Sequence, residues 1–354
     1  FSSPEGDVPV SGNMMQRPFI LRPLENHPFL TLGDFFHAIR DFVWQNNGKR
    51  LCGIIGRLKG QATFHDRIDQ LIIRYEKYGT LYQIASVEAT AENLKEKLTV
   101  TAAVTPEARE TLNRECKLLN RLIDRWPFPF IPRIYIKDQV EAKTSEKAET
   151  FAMVLSDWFE GYHEWHFSGD RNTASAIDLW DMGQGFRPAP ANVVHEIIGQ
   201  AAMILTLYYD PVSYSQIFPW HHGAGDFVVK VDENGVDVRL ISVRGYDPLV
   251  FLLGNKQPGA LEALLFFFLD GRFCAPGGNG GVYRGDPPQG TGRGTPRRHE
   301  GRVDPLFAED DAGGATRPAV SPDRDLSRDR PHGFQVHKKT PERPCRRTPA
   351  RFKE

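Results

Sequence analysis

Trp220-His221-His222-Gly223-Ala224-Gly225-Asp226-Phe227-Val228-Val229-Lys230-Val231 is the stretch on which the reading of this chain turns. Two glycines and an aspartate stand directly before an apolar β-type run. Glu233-Asn234-Gly235 then makes a turn and Val236 to Val243 a second run, so Asn-Gly between two alternating segments predicts a hairpin. Upstream, Val194, Ile197, Ile198, Ala201, Ile204, Leu205 and Tyr208 keep a 3.6-residue period, which predicts a helix over 191–209 stopped by Asp210-Pro211. A polar loop is thus displayed between a helix and a hairpin. Glycines let backbone approach a ligand there, and a carboxylate can accept a hydroxyl proton or hold a metal. The plainer alternative is a capped turn whose His and Asp satisfy backbone groups.

The first half of the chain is of another kind. Residues 1–69 read as a Pro-rich extension with one amphipathic helix. Thr31 caps that helix, Leu32, Phe35, Phe36, Ile39, Phe42 and Val43 line it, and Asn46-Asn47-Gly48 ends it. Strand-like runs come next at 71–75, 81–89 and 98–104, with a turn at Tyr78-Gly79-Thr80 and a charged connector at 92–97. Thr105-Pro106 starts a helix over 107–125 with Ala108, Leu112, Leu119 and Leu122 on one face. Short strands at 133–137 and 151–155 flank a polar loop at 138–149. The fold class expected is α+β, with a small strand-rich lobe at 70–160 and a helix-rich lobe at 161–270.

Composition separates the end of the chain from the rest. The whole chain carries 44 basic and 45 acidic residues in 354. Residues 271–354 hold 17 of the basic and 11 of the acidic ones, which leaves 27 against 34 in residues 1–270. Gly and Pro supply 24 of the last 84 residues and Leu, Ile, Val and Phe only 10, too little apolar surface to offset chain entropy. A disordered basic tail is expected, and the abrupt shift also fits a reading-frame change in a G+C-rich gene. The tail's acids dilute its charge, so composition argues against nucleic acid as a partner. The run Leu261 to Leu269 is too short to span a bilayer and reads as a buried helix, so no membrane partner is expected. Cys52, Cys116, Cys274 and Cys345 lie far apart with no paired His, which favours a reducing compartment over a zinc or disulfide framework. No signal peptide opens the chain, which starts at Phe1 as a fragment or processed end would, and a cytoplasmic location is the expectation.

The order strands, helix, strands, then helix, loop and hairpin resembles the protein-kinase-like fold in its aminoglycoside-phosphotransferase-like branch over roughly residues 70–270. Lys77-Tyr78-Gly79-Thr80 resembles a shortened phosphate-covering turn, and Leu98 to Val104 the third strand. Glu115 resembles the glutamate of the small-lobe helix, and Leu155 to Gly161 the hinge. His222-Gly223-Ala224-Gly225-Asp226 resembles the catalytic loop with two residues inserted. The resemblance implies a bilobal body, ATP and Mg²⁺ as cofactors and a small-molecule ligand. It makes Asp226 the catalytic base, with His221 and His222 orienting the loop. Gly79, Glu115, Trp158 and Glu160 would line the nucleotide site, and Asp226 with Asp247 would bind metal. Three departures weaken that chemistry. Thr105 stands where the family has its phosphate-binding lysine, Val231 where it has a metal-binding asparagine, and Leu240 to Tyr246 contains no aspartate. Losing all three removes much of the electrostatic stabilisation of phosphoryl transfer.

Three functions therefore stay open: an ATP-dependent phosphotransferase acting on a small molecule, a nucleotide- or ligand-binding pseudokinase without turnover, and a metal-dependent hydrolase using His221, His222 and Asp226. A second constellation, Asp157 to His166, alternates aromatics with His163, Glu164 and His166. In an extended chain, residues three apart point to opposite faces, so these two imidazoles are not expected to converge on a metal.

Overall fold

The Thr31 capping box forms as its sequence requires: the Thr31 hydroxyl accepts from the Asp34 N–H, and the Asp34 carboxylate accepts from the Thr31 N–H at 2.8 Å. The computed structural model describes residues 1–3, 6–22, 25–60, 68–91, 94–143, 147–167, 177–181, 185–220, 225–249 and 259–270. The expected disordered tail at 271–354 lies outside them, as do His221, His222, Gly223 and Ala224. The capped helix is α2 (Leu32–Val43), preceded by α1 (Gly12–Met15) and followed by α3 (Lys49–Leu58). Asn46, Asn47 and Gly48 end α2 with φ of 55°, 57° and 76°, the left-handed region that Asn and Gly tolerate best. Among its described residues the extension thus holds three helices rather than one, together with two short ribbons. These are β1 (Ser2–Ser3) with β2 (Gly6–Asp7), and β3 (Pro18–Arg22) with β4 (Glu25–Thr31).

The first large sheet is built from β5 (Gln70–Tyr78), β6 (Gln83–Ala91), β7 (Leu94–Ala103), β8 (Ile134–Lys143) and β9 (Ala148–Asp157). It is antiparallel throughout, in the order β5-β6-β7-β9-β8. Helix α4 (Pro106–Arg125) lies in the connection from β7 to β8, capped by Thr105, whose hydroxyl accepts from the Ala108 N–H. Residues 138–149 are largely strand, not loop. Gln139, Glu141 and Lys143 hide the strand signal, because they face away from the core along an edge strand. The connector expected at 92–97 is likewise β7 from Leu94 onward.

The two faces of this sheet have different covers. Tyr75, Ala85, Val100 and Leu155 lie in one row across the strands. On that face the Phe35 ring of α2 meets Tyr75 at 5.6 Å and Phe151 at 5.9 Å. The extension therefore packs into the body instead of hanging from it. Ala103 and Val154 point the other way and pack with Ala108, Leu112 and Cys116 of α4. Further along α4, Leu119 and Leu122 enter a separate core. One helix therefore spans two cores, and Glu115 sits between them.

That second core belongs to another five-stranded sheet. Its strands are β10 (His163–Phe167), β11 (Ile177–Asp181), β12 (Gly185–Pro188), β14 (Phe227–Asp232) and β15 (Gly235–Leu240), while β13 (Gln216–Ile217) pairs β16 (Tyr246–Asp247) apart from it. The strand order is β12-β11-β10-β14-β15. The hairpin expected at Asn234-Gly235 forms. Helix α5 (Ala191–Leu207) packs on it through Val193, Ile197, Ala201, Ile204 and Leu205. Gln200 adds a strand-like pairing to the free edge of β15. Its side-chain N–H donates to the Val236 carbonyl at 2.7 Å, and its carbonyl accepts from the Val238 N–H at 3.0 Å. The second half is therefore mixed: among the described residues it has α5, α6 (Ala260–Asp270) and this sheet, where a helix-rich lobe was expected. Nor is α6 buried. Ala263 and Phe267 are covered while Leu261, Leu264, Leu265 and Phe268 are 40–70% exposed. Among the described residues no helix is long and apolar enough to cross a membrane.

Candidate functional site

Strand β5 carries a bulge that decides which face Lys77 occupies. Tyr75 pairs Ala85, but Lys77 pairs Ile84, so one extra residue, Glu76, is inserted. Without it Lys77 would follow Tyr75 toward α2; with it Lys77 turns to the α4 face. Glu76 lies on that face as well, where it accepts from the Ser86 hydroxyl.

Lys77 reaches across to the second sheet and forms an ion pair with Glu164 of β10. Glu164 sits against Gly225: a β-carbon at Gly225 would lie 2.8 Å from a Glu164 carboxylate oxygen, and Gly225 has φ of 66°. Only glycine meets both conditions without strain. The next residue, Asp226, is 1% exposed. Its carboxylate accepts from Arg244 Nη2 at 2.8 Å, and its backbone carbonyl accepts from the Ile241 N–H. Burial lowers the pKa of the Lys77 ammonium while the charge of Asp226 pulls the other way; 46% of the Lys77 side chain stays open to solvent.

Glu115 joins the same cluster from α4. Tyr82 donates its hydroxyl to one carboxylate oxygen at 3.0 Å and Ser242 donates to the other at 3.1 Å. Glu115 is 6% exposed, so it does not reach solvent at the helix edge. Burial pushes its pKa up, against the pull of the two hydroxyls and Arg244. The same burial pushes the Tyr82 hydroxyl well above its usual range and the neighbouring Cys116 thiol up to about 11, which makes that thiol a poor nucleophile. Lys77, Tyr82, Glu115, Glu164, Asp226, Ser242 and Arg244 therefore form one polar cluster where the two sheets meet.

Of the residues singled out from sequence, Asp226 and Glu115 are in this cluster, and Gly79 is in the adjoining turn, where its N–H donates to the Tyr82 carbonyl. Trp158 and Glu160 are elsewhere. They line a cavity of about 530 Å³ with Arg74, Glu88, Lys95 and Lys97. Lys97 pairs Glu88, five residues back along β7 from Ala102, which pairs Gln83 near that turn. The two groups are therefore separated by roughly 17 Å of strand at about 3.3 Å per residue. The Trp158 ring is already occupied: its N–H donates to Glu160 at 2.6 Å and the Lys97 ammonium sits 3.9 Å from its centroid.

The two carboxylates expected to hold Mg²⁺, Asp226 and Asp247, stand in different surroundings. Asp226 is engaged by a guanidinium, which repels a second cation, and Asp247 is exposed on β16. His163 and His166 lie on strand β10, paired with Val229 and Asp178 on opposite faces of the sheet. Among the described residues no group of three or more His, Cys, Asp or Glu side chains could hold a metal ion. Arg244, Tyr82 and Ser242 carried no signal in the sequence, and Glu164 was visible only within the aromatic run from Asp157 to His166. Lys77 was visible only as part of a turn, because its role depends on a register slip against β6. No protein-family model matches the chain, and no curated protein matches its sequence at a significant level.

Proposed function

We propose that this chain is a kinase-like binding protein that holds a ligand in the cleft between its two sheets without transferring phosphate. Three features support the kinase-like reading. Helix α4 follows the third strand of the first sheet and turns Glu115 toward Ser242, in the segment after β15. Helix α5 packs against the β14–β15 hairpin, as the resemblance requires. The segment after β15 returns Ser242 and Arg244 to face Glu115 and Asp226.

The observation that carries the non-catalytic part is the state of Asp226. A general base must come within about 2.6–3.2 Å of the proton it removes. Asp226 is 1% exposed and closed off by Arg244 at 2.8 Å. Thr105, at the position the resemblance gives to the phosphate-binding lysine, is used in capping α4.

The test is incubation with saturating Mg²⁺ and ATP, following ADP release together with a thermal-shift titration of ATP with and without Mg²⁺. ADP release at the blank rate is expected for the wild type and for Asp226→Asn alike. Turnover that Asp226→Asn abolishes would overturn the proposal.

A further inference from the structure

The cluster at the junction has an order in depth. Asp226 is 1% exposed and the Glu164 side chain 24%, whereas the side chains of Arg244 and Lys77 are 35% and 46% exposed. The carboxylates form the floor and the two cations the outer layer. Each cation is held from below: Lys77 by Glu164, and Arg244 by Asp226. Glu164 lies against Gly225, the residue before Asp226, so the two pairs are neighbours.

The donors are not used up. Guanidinium carries five N–H groups and ammonium three. Arg244 gives Asp226 one hydrogen bond, from Nη2, and Lys77 pairs with Glu164. Two half-exposed cations in neighbouring ion pairs, with donors left over, match the demands of an oxyanion, which takes several charge-assisted hydrogen bonds at once. A guanidinium in this place also does what a metal cannot: it brings a fixed positive charge with directional donors and needs no open coordination positions.

From this layering we infer that Lys77 and Arg244 form a metal-independent site for an oxyanion of the phosphate type. The inference rests on the non-catalytic reading and deepens it by naming the ligand class. Glu164 and Asp226 act as positioning residues that hold the two cations apart and outward. The anion shares the cations with the carboxylates instead of displacing them, so binding is weakened by added salt.

The experiment is a thermal-shift and calorimetric titration of the full chain with inorganic phosphate in the presence of EDTA, repeated with Mg²⁺ in place of EDTA. Saturable binding that is equal in the two conditions is expected, with roughly a tenfold loss of affinity in Lys77→Gln and in Arg244→Gln. Arg244→Gln takes the cation from a buried carboxylate and can fail to fold; Lys77→Gln removes a half-exposed side chain and keeps the test decisive on its own. No binding in EDTA, or phosphate affinity unchanged in Lys77→Gln, would overturn the site. ATP in EDTA is the second arm. An ATP affinity that depends on Lys77 as phosphate's does supports an oxyanion carried on a nucleotide. ATP binding that ignores Lys77 while phosphate fails to bind overturns the site in favour of base recognition. ADP release under Mg²⁺ would defeat the non-catalytic reading and leave phosphate binding to be judged by its own titration.

Discussion

Removing either partner of the Asp226–Arg244 pair breaks the same hydrogen bond but leaves different residues behind, and the structure says which loss is larger. In Asp226→Asn the amide keeps the size and one acceptor, and Arg244 keeps its charge with 35% of its side chain in solvent. A hydrogen bond to a charged group contributes about 1.5–3 kcal/mol. Solvent screening of the guanidinium trims the cost of Asp226→Asn to about 1–2 kcal/mol. In Arg244→Gln the charge left over is that of Asp226, which is 1% exposed. Breaking a buried ion pair by removing one partner costs about 3–5 kcal/mol. A chain of this size loses about 2–4 °C of Tm per kcal/mol, so the expected falls are about 3–6 °C for Asp226→Asn and about 10 °C or more for Arg244→Gln. Calorimetric melts of the two variants, with urea midpoints as a second probe, make the comparison. The layered cluster demands this asymmetry. If Asp226→Asn melts at or below Arg244→Gln, the carboxylate is not the buried member held by a more exposed cation, and the layering is refuted.

Gln200→Ala should cost about 1–2 kcal/mol by taking two hydrogen bonds from the edge of β15, and the Val238 amide should exchange faster; unchanged exchange would show that the edge does not need the side chain. Gly225→Ala should destabilise by about 1–2 kcal/mol from its left-handed backbone alone, with more from the clash against Glu164, and adding Glu164→Ala should recover only the clash. Full recovery in the double variant would mean that the backbone is not constrained. For Glu115, burial raises the folded-state pKa above the unfolded value of 4.5, so the folded state binds the proton more tightly. Stability is then lost as pH rises through the folded pKa and regained toward pH 4.5. Glu115→Gln should flatten that slope in urea melts taken from pH 4.5 to 8, and an unaltered slope would clear Glu115 of the effect.

Elements whose signals are local could be read from the sequence. Thr31 and Asp34 three residues apart, Thr105 before Pro106, and Asn234 before Gly235 each set a boundary through a contact within four residues, and each formed where expected. The long apolar period of α5 was equally plain. The second half of β8, past the strand expected at 133–137, and β10–β12 were not, because their outward faces are charged or aromatic and their inward faces short. The exposure of α6 was also hidden, since its apolar run carries no sign of how little of it the body covers. Of the site, Asp226 and Glu115 were picked out by a resemblance, and Glu164 stood only in the aromatic run from Asp157 to His166. Its other members are set by distances along the chain that no local pattern spans: Lys77 and Glu164 are 87 residues apart, and Ser242 and Glu115 are 127.

The capping role of Thr105 and the exposed position of Lys77 have a common explanation in the first sheet. Val104 and Thr105 lie just past the end of β7, and the Thr105 hydroxyl goes to the Ala108 N–H, so this end of the strand is given over to starting α4. A lysine there would exchange a helix cap for a charge. The neighbouring rows on the same face, Thr101 and Ile84, offer no cation either. Beside Glu164 the cation comes from β5, where the alternation set by Tyr75 would send residue 77 to the opposite side, among Phe35 and Phe151. The inserted Glu76 reverses that parity from Lys77 onward, and Glu76 itself is held on the α4 face by Ser86 and by Lys97 at 3.5 Å. A single bulge thus keeps a lysine out of an apolar core and delivers it opposite Glu164, within the field of Asp226. The bulge therefore decides whether this junction carries one exposed cation or two, and the affinity of Lys77→Gln for phosphate measures its consequence.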